Sequence, residues 1–230
     1  MEIRVDSDVV VNQLTVIQTS KYNENFNNFK IYKFIKRFLD VLLALIGIVL
    51  LSPVFLVITI TIKIESKGSV FFIHKRIGKN GEKIGIYKFR TMIENAENMI
   101  KKFTPEQVKE FKESFKLEND PRITKIGKFL RKTSLDELPQ LLNILKGELS
   151  IIGPRPVVED ELEKYGNNKE EFLSVTPGLT GYWAANGRSS TTYEQRINME
   201  LYYVSNISLK LDIKIFFKTI TSVLKREGAI

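Results

Sequence analysis

With 230 residues, 43% of them apolar, the chain is long enough for one compact domain, or one domain with an appendage, and can build a core. It has no cysteine, which excludes a disulfide framework, a thiolate nucleophile and a cysteine-based zinc site; the single histidine, His74, cannot make a His-rich metal site. A net charge of +8 points to an anionic partner: nucleic acid, a lipid surface or a phosphorylated substrate.

Residues 1–29 are polar and rich in asparagine (Asn23, Asn25, Asn27, Asn28), with an apolar patch at Val9–Val11. They read as a weakly ordered arm with a short strand. No cleavable signal is expected, because the apolar run starts too late and no small-residue cleavage site follows it. That run, Val41–Ile62, holds 22 residues without a charge, and roughly 20 suffice to cross a bilayer core. Two features oppose a plain crossing. Ser52-Pro53 falls near the middle, where proline deletes a backbone hydrogen bond and bends a helix. Both flanks are basic, with Lys30, Lys33, Lys36 and Arg37 before and Lys63, Lys67, Lys75 and Arg76 after. Basic residues mark the cytoplasmic side. Residues 30–66 therefore read as a re-entrant membrane helix that enters, breaks at Ser52-Pro53 and returns. A kinked spanning helix is the alternative that composition leaves open.

Val70–Ile77 and Lys83–Met92 predict two strands around Lys79-Asn80-Gly81, an Asn-Gly hairpin signal. Helices are expected over Glu94–Phe103 and from Thr104 to about Leu117, the latter capped by Thr104 with Pro105 first and Gln107 third. Asp120-Pro121-Arg122 is a turn. Ile123–Lys132 is a short amphipathic helix, with Ile123, Ile126 and Leu130 on one side and Lys125, Lys128, Arg131 and Lys132 largely on the other.

The stretch Phe129–Pro156 carries an acidic pair, Asp136 and Glu137, with Arg131 before it and Arg155 after it between Pro154 and Pro156. Ser134 and Glu137 have the spacing of a capping box. Pro139 lacks an N–H and pushes Leu138 away from helical angles. The helix starts either at Ser134 with a kink or at Pro139, runs to about Leu145 and stops at Gly147. Either start puts the acidic pair at a helix N-terminal end, where the dipole favours negative charge and attracts phosphate. Acidic residues in a first helical turn are also common without any function.

Beyond Pro156, Val157–Tyr165 is expected to be helical, and Pro177–Trp183 is a turn-rich loop leading to Gly187-Arg188-Ser189. Tyr193, Ile197, Leu201 and Val204 line another helix. Leu209–Arg226 is the last, with Ile213, Phe216, Phe217, Ile220 and Leu224 on one side and Lys210, Lys214 and Lys218 on the other. Such a helix suits either a lipid surface or the core. The fold class is α+β and mainly helical: a re-entrant membrane helix broken at Ser-Pro, a small β-hairpin and amphipathic interfacial helices.

Two functions compete. Short basic helices across 123–145 resemble a helix-turn-helix, giving a nucleic-acid-binding protein with a membrane anchor. Asp136 and Glu137 would then meet nucleic-acid phosphates without a metal, and the apolar segment would have no role. Metal-assisted phosphoryl transfer uses both features, since a carboxylate can attack phosphorus directly to form an acyl phosphate.

The chain resembles the bacterial sugar transferases, the monotopic phosphoglycosyl transferases, over roughly Lys36 to Lys225. The resemblance rests on an ordered series: Lys36-Arg37-x-x-Asp40, Ser52-Pro53, Lys75-Arg76-x-Gly78, Lys88-Phe89-Arg90-Thr91-Met92, Arg131-x-x-Ser134-Leu135-Asp136-Glu137-Leu138-Pro139-Gln140, Gly153-Pro154-Arg155-Pro156, Pro177-Gly178-Leu179-Thr180-Gly181 and Leu211-Asp212-Ile213-Lys214. It implies a ping-pong reaction in which Asp136 attacks the sugar-bearing phosphate of a UDP-sugar and expels UMP. Polyprenyl (undecaprenyl) phosphate then takes the phosphosugar, giving a polyprenyl diphosphate sugar, the first membrane step of surface glycan synthesis. By the same resemblance Glu137 assists, and Mg²⁺ sits at Asp136 and Glu137. Arg131 and Arg155 hold phosphates, with Pro154, Pro156 and Arg188 in the binding set. Lys88 and Asp212 match positions essential in relatives. Ser52-Pro53 shapes the re-entrant helix, and 67–230 becomes a catalytic domain at the cytoplasmic face of the bacterial inner membrane, against membrane lipid, with no nucleic-acid partner. A homo-oligomer is left open. His74, and Ala184 after Trp183, stand where many relatives carry glutamine, which leaves the sugar undetermined.

Overall fold

The computed structural model describes residues 7–225 apart from 100, 102, 115, 116, 118, 119, 189 and 190. It is mainly helical with two small sheets, as the sequence leads one to expect. The chain divides after Leu39 into two units.

Helix α1 runs Ser7–Glu65. The part of it before residue 30 is helical where the sequence pointed to an arm with a strand at Val9–Val11; residues 1–6 of that arm lie outside the described residues. Extending a helix adds a hydrogen bond per residue fixed, whereas a lone strand has no partner to pair with. Ser52-Pro53 lies inside α1 rather than between two helices. Local chemistry accounts for this continuity. Pro53 has no N–H to offer the carbonyl of Val49, four residues back. The Ser52 hydroxyl donates to that carbonyl instead, at 2.8 Å.

Along α1 from Asp40, one stripe packs on the rest of its unit. Ala44 joins Ile84, Ile86, Leu141, Ile144 and Leu149 in one core cluster. Ile58 and Ile62 join Val70, Phe89 and Leu130 in a second. The opposite side leaves Val49, Leu50, Val57 and Ile64 exposed. Phe29–Glu65 is long and apolar enough to cross a membrane by length and composition.

Strands β1 (Phe71–Ile77) and β2 (Lys83–Phe89) pair antiparallel, from Phe71 opposite Phe89 to Ile77 opposite Lys83. The Lys79–Gly81 turn joins them with Asn80 at φ 54° and Gly81 at φ 83°, the left-handed geometry that favours an Asn-Gly pair. Strand β2 ends earlier than expected, at Phe89. Arg90 N–H still donates to Val70 (2.8 Å), and Met92 bridges Ile123.

Of the helix expected over Glu94–Phe103, the structure describes α2 (Ala96–Met99), while residues 100 and 102 lie outside the described residues. Helix α3 (Pro105–Ser114) starts as expected, with Thr104 and Gln107 exchanging bonds of 3.0 and 3.3 Å. Helix α4 (Lys125–Thr133) is capped by Thr124, whose hydroxyl accepts from Gly127 N–H. Ser134 corrects the sequence reading. It is the left-handed C-cap of α4, at φ 57°, and makes no side-chain cap. Asp136 and Glu137 lie on a separate 3₁₀ turn, Leu135–Glu137. Helix α5 (Gln140–Lys146) begins after Pro139 and ends at Gly147, φ 85°.

Asn143, on α5 and fully buried, binds the open edge of β2. Its Oδ1 accepts from Tyr87 N–H (2.9 Å), and its Nδ2 donates to the Gly85 carbonyl (2.7 Å) and to Glu148 (2.6 Å). One side chain thus does for this edge what a third strand would do.

Strands β3 (Ser150–Ile152) and β4 (Gly178–Thr180) form a parallel pair. Here the expected turn-rich loop is partly strand. Close backbone approach explains its glycines: a Cβ on Gly178 would lie 2.1 Å from Gly153 N. Between the strands lie α6 (Glu159–Leu162), a 3₁₀ segment Glu163–Asn168 and α7 (Lys169–Leu173). After β4 come α8 (Tyr182–Asn186), α9 (Tyr193–Ser205) and α10 (Leu209–Lys225). The most buried residues of α9 are Arg196, Glu200 and Tyr203, while Ile197 and Leu201 of the apolar series are partly buried against Val157, Tyr165 and Phe172. Helix α10 buries Asp212, Ile215 and Ser222 and leaves Ile213, Phe217 and Ile220 exposed. The Leu224 side chain lies outside the described residues.

Replacing Asn143 with Ala strands a buried N–H and a buried carbonyl on β2. Asn143→Ala is expected to destabilise the chain by about 2–4 kcal/mol. Chemical unfolding in detergent measures this, and a loss under about 0.5 kcal/mol would show the edge to be satisfied otherwise.

Candidate active site

Lys88 sits near the end of β2, and the acidic turn precedes α5. Asn143 on α5 binds Tyr87, the neighbour of Lys88, so strand and turn are fixed together. The Lys88 ammonium donates to Glu137 Oε1 at 2.6 Å. Its contact with Asp136 Oδ2 is 4.0 Å, beyond hydrogen bonding. Arg155 Nη2 lies 3.8 Å from Glu137 Oε1. A pocket here is lined by Arg76, Lys88, Glu137, Gln140, Arg155 and Pro156, among others.

The two adjacent carboxyls are driven in opposite directions. Burial pushes Asp136 up, from 3.8 to about 6; repulsion from Glu137 adds to it, and Lys88, Arg131 and Arg155 oppose it. Burial acts upward on Glu137 too, but Lys88, Arg155 and Arg188, with the Lys88 hydrogen bond, outweigh it and hold the group near 2 rather than 4.5. Glu137 is thus a fixed charge at every physiological pH, and Asp136 is a poised one.

The remaining expected residues fall in graded positions. Arg131 Nε donates to Thr91 Oγ1 at 3.0 Å, and its charge acts on Asp136. Burial lowers its own pKa. Arg188, at φ 45°, follows α8, and its charge reaches Glu137. Pro154 is fully buried and Pro156 lines the pocket. Asp212 is held one step back. Tyr203 OH donates to its Oδ1 at 2.7 Å and lies 3.3 Å from the Ile152 carbonyl, just before Gly153. Ser52 and Pro53 lie on α1, described above.

Sequence reasoning gave Arg76 a place in a motif but no role. In the structure Arg76 faces the pocket, 3.7 Å from Glu161, which Arg196 approaches to 3.5 Å. Arg196 in turn lies over the Trp183 and Tyr193 rings at 4.7 and 5.1 Å. Burial, then repulsion from Arg155, pushes Arg76 down to about 10. His74, on the same sheet face, is pushed down to about 4 by burial and by Arg76, Lys88 and Arg155, so it is neutral. Glu200 was missed altogether. It is 1% exposed, and burial pushes it up to about 7. Glu200 is three residues after Ile197 and four before Val204, on the apolar stripe of α9, and a carboxylate on that stripe is the signal that could have found it.

Arg76, Lys88, Arg155, Arg131 and Arg188 around two carboxylates suit a polyanion such as a diphosphate. For a divalent cation, the described residues contain no cluster of three or more acidic or histidine side chains. Mg²⁺ commonly takes one or two carboxylates and completes its shell with water and substrate phosphate. The Asp136–Glu137 pair fits that donor chemistry, with Asp136 the less engaged of the two.

Comparisons with known proteins point to one family. The family described as bacterial sugar transferase matches residues 31–226. The exopolysaccharide production protein ExoY of Sinorhizobium fredii is 47% identical over 197 residues, covering 84% of this chain and 87% of that protein. The undecaprenyl-phosphate galactose phosphotransferase of Salmonella typhimurium is 42% identical over 86% of this chain, which spans only 42% of that longer protein. A UDP-N-acetylgalactosamine-undecaprenyl-phosphate N-acetylgalactosaminephosphotransferase of Aeromonas hydrophila is 39% identical, over 86% of this chain and 46% of its own length. The chain belongs to the bacterial sugar transferase family. Membership makes it an enzyme of the phosphoglycosyl transferase class and selects this reading over the helix-turn-helix one.

Lys88→Met removes the charge that holds Glu137 ionised. The Glu137 pKa is expected to climb by about two units or more from its depressed value, read as the infrared carboxyl titration that disappears in the added Glu137→Gln variant. The sign for stability follows. A depressed Glu137 contributes stability fully above pH 4.5, lost as pH falls toward 2. That acid-limb loss is expected to shrink in Lys88→Met.

Proposed function

We propose that this enzyme transfers a sugar 1-phosphate from a UDP-sugar to polyprenyl (undecaprenyl) phosphate through a covalent phosphosugar on Asp136. The products are UMP and a polyprenyl diphosphate sugar, the first membrane-bound intermediate of a surface glycan. One observation carries the reading: of two adjacent carboxylates, Glu137 is tied to Lys88 at 2.6 Å, while Asp136 stands 4.0 Å from the same ammonium. The second is the group left able to react.

An Asp136 oxygen attacks the phosphorus that bears the sugar. The bond to the bridging oxygen breaks, and UMP leaves with the electron pair. An oxygen of the lipid phosphate then attacks the same phosphorus, forming the new diphosphate link and returning the Asp136 carboxylate. No proton has to be removed from the first nucleophile. Lys88 and Arg155 fix Glu137 and face the phosphates, and Arg131 and Arg188 add positive potential. Mg²⁺, held by Asp136 and Glu137 together with substrate phosphate, would neutralise phosphate charge. Asp212 supports the Pro154–Pro156 loop through Tyr203 and Ile152. The names of relatives point to galactose and N-acetylgalactosamine donors.

The membrane arrangement is one in which α1, bent at Pro53 but continuous, dips into a single leaflet at the cytoplasmic face of the inner membrane. Both ends of the segment Asp40–Glu65 are hydrogen-bonded into the same unit. Asp40 Oδ1 accepts from Ser150 Oγ and Ile151 N–H at 3.0 and 2.8 Å, and the Glu65 carboxylate accepts from Ile126 N–H at 3.2 Å. A helix anchored at both ends on one compact unit does not deliver those ends to opposite sides of a bilayer. Its exposed apolar side and the basic flanks fit one leaflet.

Brief exposure of membrane-bound enzyme to UDP-galactose and UDP-N-acetylgalactosamine with Mg²⁺ should release UMP and add a phosphosugar mass to the peptide containing Asp136. Asp136→Asn should abolish both and chelator should lower both; release of UDP, or a full-rate variant, ends the proposal. With Asp136 titrating near 6, adduct formation should fall as pH drops through that value and stay flat above it. Cysteines placed at residues 20 and 70 should both be labelled only from the cytoplasmic side; labelling from opposite sides would leave the spanning alternative.

A further inference from the structure

The loop that carries Arg155 is Pro154-Arg155-Pro156. Neither proline has an N–H, so Arg155 owns the only backbone donor of the three. That N–H does not join a strand or a turn. It donates to Glu200 Oε1 at 3.1 Å. Glu200 comes from the middle of α9, 45 residues along the chain, and is 1% exposed. Its second oxygen, Oε2, is buried and has no hydrogen-bond partner among the described residues. Burying a carboxylate this way is costly, and what it gains in return is an acceptor for the Arg155 N–H.

We propose that Glu200 is a positioning residue for anion capture. It clamps the single free backbone donor of the loop, and by doing so fixes the direction in which the Arg155 side chain leaves the backbone toward the pocket. The remaining constraints on the loop are complementary. The two proline rings fix φ on either side. The Pro154 carbonyl accepts from Gly178 N–H at 2.8 Å, and the Val157 carbonyl accepts from Ile77 N–H at 2.8 Å. Both of those bonds flank Arg155; the Glu200 bond acts on its own backbone. Arg155 Nη2 then stands 3.8 Å from Glu137, beside the pocket. Glu200 touches no substrate and acts only through Arg155. Its catalytic consequence rests on the transfer reading above, but its effect on anion binding does not.

The test is a double-mutant cycle with inorganic pyrophosphate and Mg²⁺ as the probe, measured by calorimetry on the full chain in detergent. Arg155→Ala is expected to weaken pyrophosphate binding about tenfold. Glu200→Ala is expected to weaken it by a similar factor, and the double variant no more than Arg155→Ala alone. Glu200→Gln retains an acceptor and should bind within about twofold of the unaltered chain. If Glu200→Ala does not fold, Glu200→Asp serves in its place: it keeps the charge but withdraws the acceptor by one methylene, and should lose affinity likewise. Additive losses would mean that Glu200 does not act through Arg155. Unchanged binding in Glu200→Asp or Glu200→Ala, or no pyrophosphate binding by the unaltered chain, would overturn the proposal. A chain that binds pyrophosphate as expected but forms no phosphosugar adduct would instead sink the transfer reading and leave Glu200 in this role.

Discussion

The site depends on one buried amide. A two-stranded sheet leaves an edge with unpaired N–H and carbonyl groups, and such an edge cannot be buried unsatisfied. Asn143 meets both needs of β2 with one side chain. It therefore fixes α5 against the strand, and the acidic turn just before α5 against Lys88. The 2.6 Å bond between Lys88 and Glu137 is a consequence of that docking. Ala44 and Leu141, in the same core cluster, bring the apolar part of α1 to the same place.

Two neighbouring carboxyls in one low-dielectric setting cannot behave alike. Burial raises the cost of charge on both, and their mutual repulsion adds to it. The cations decide which one stays ionised. Lys88 is committed to Glu137, with Arg155 and Arg188 adding to the field there. Asp136 feels Lys88, Arg131 and Arg155 more weakly than burial and Glu137 oppose them, so it stays ionised only above about 6. A division between a fixed counter-charge and a poised carboxylate follows from position alone, since the side chains differ by a single methylene.

The other half of the site is backbone. Gly153 and Gly178 let β3 and β4 approach to distances that no Cβ allows. The chain leaving β3 is then a proline-framed loop with little freedom, presenting Arg155. Around it the charges are layered: Arg76 to Glu161 to Arg196, with Arg196 against Trp183 and Tyr193. Those outer contacts keep several cations close together in spite of their repulsion.

The sequence by itself determined the features that are local. The Asn-Gly hairpin, the Thr104 cap, the stop at Gly147 and the long apolar helix follow from neighbouring residues, and the ordered motifs gave the family. It misread Ser134, because a serine three residues before a glutamate has the spacing of an N-cap; tertiary structure draws Glu137 to Lys88 instead and leaves Ser134 to end the previous helix. It also read β4 as a turn-rich loop, since a three-residue parallel strand exists only through a partner 28 positions away. The bonds of Asn143 and Glu200 were invisible for the same reason. Each is a polar residue whose bonding partners lie tens of positions distant, and no periodicity or spacing reports such a bond. What only the folded chain decided was which polar groups are buried together, and with that, which of two adjacent acids remains free.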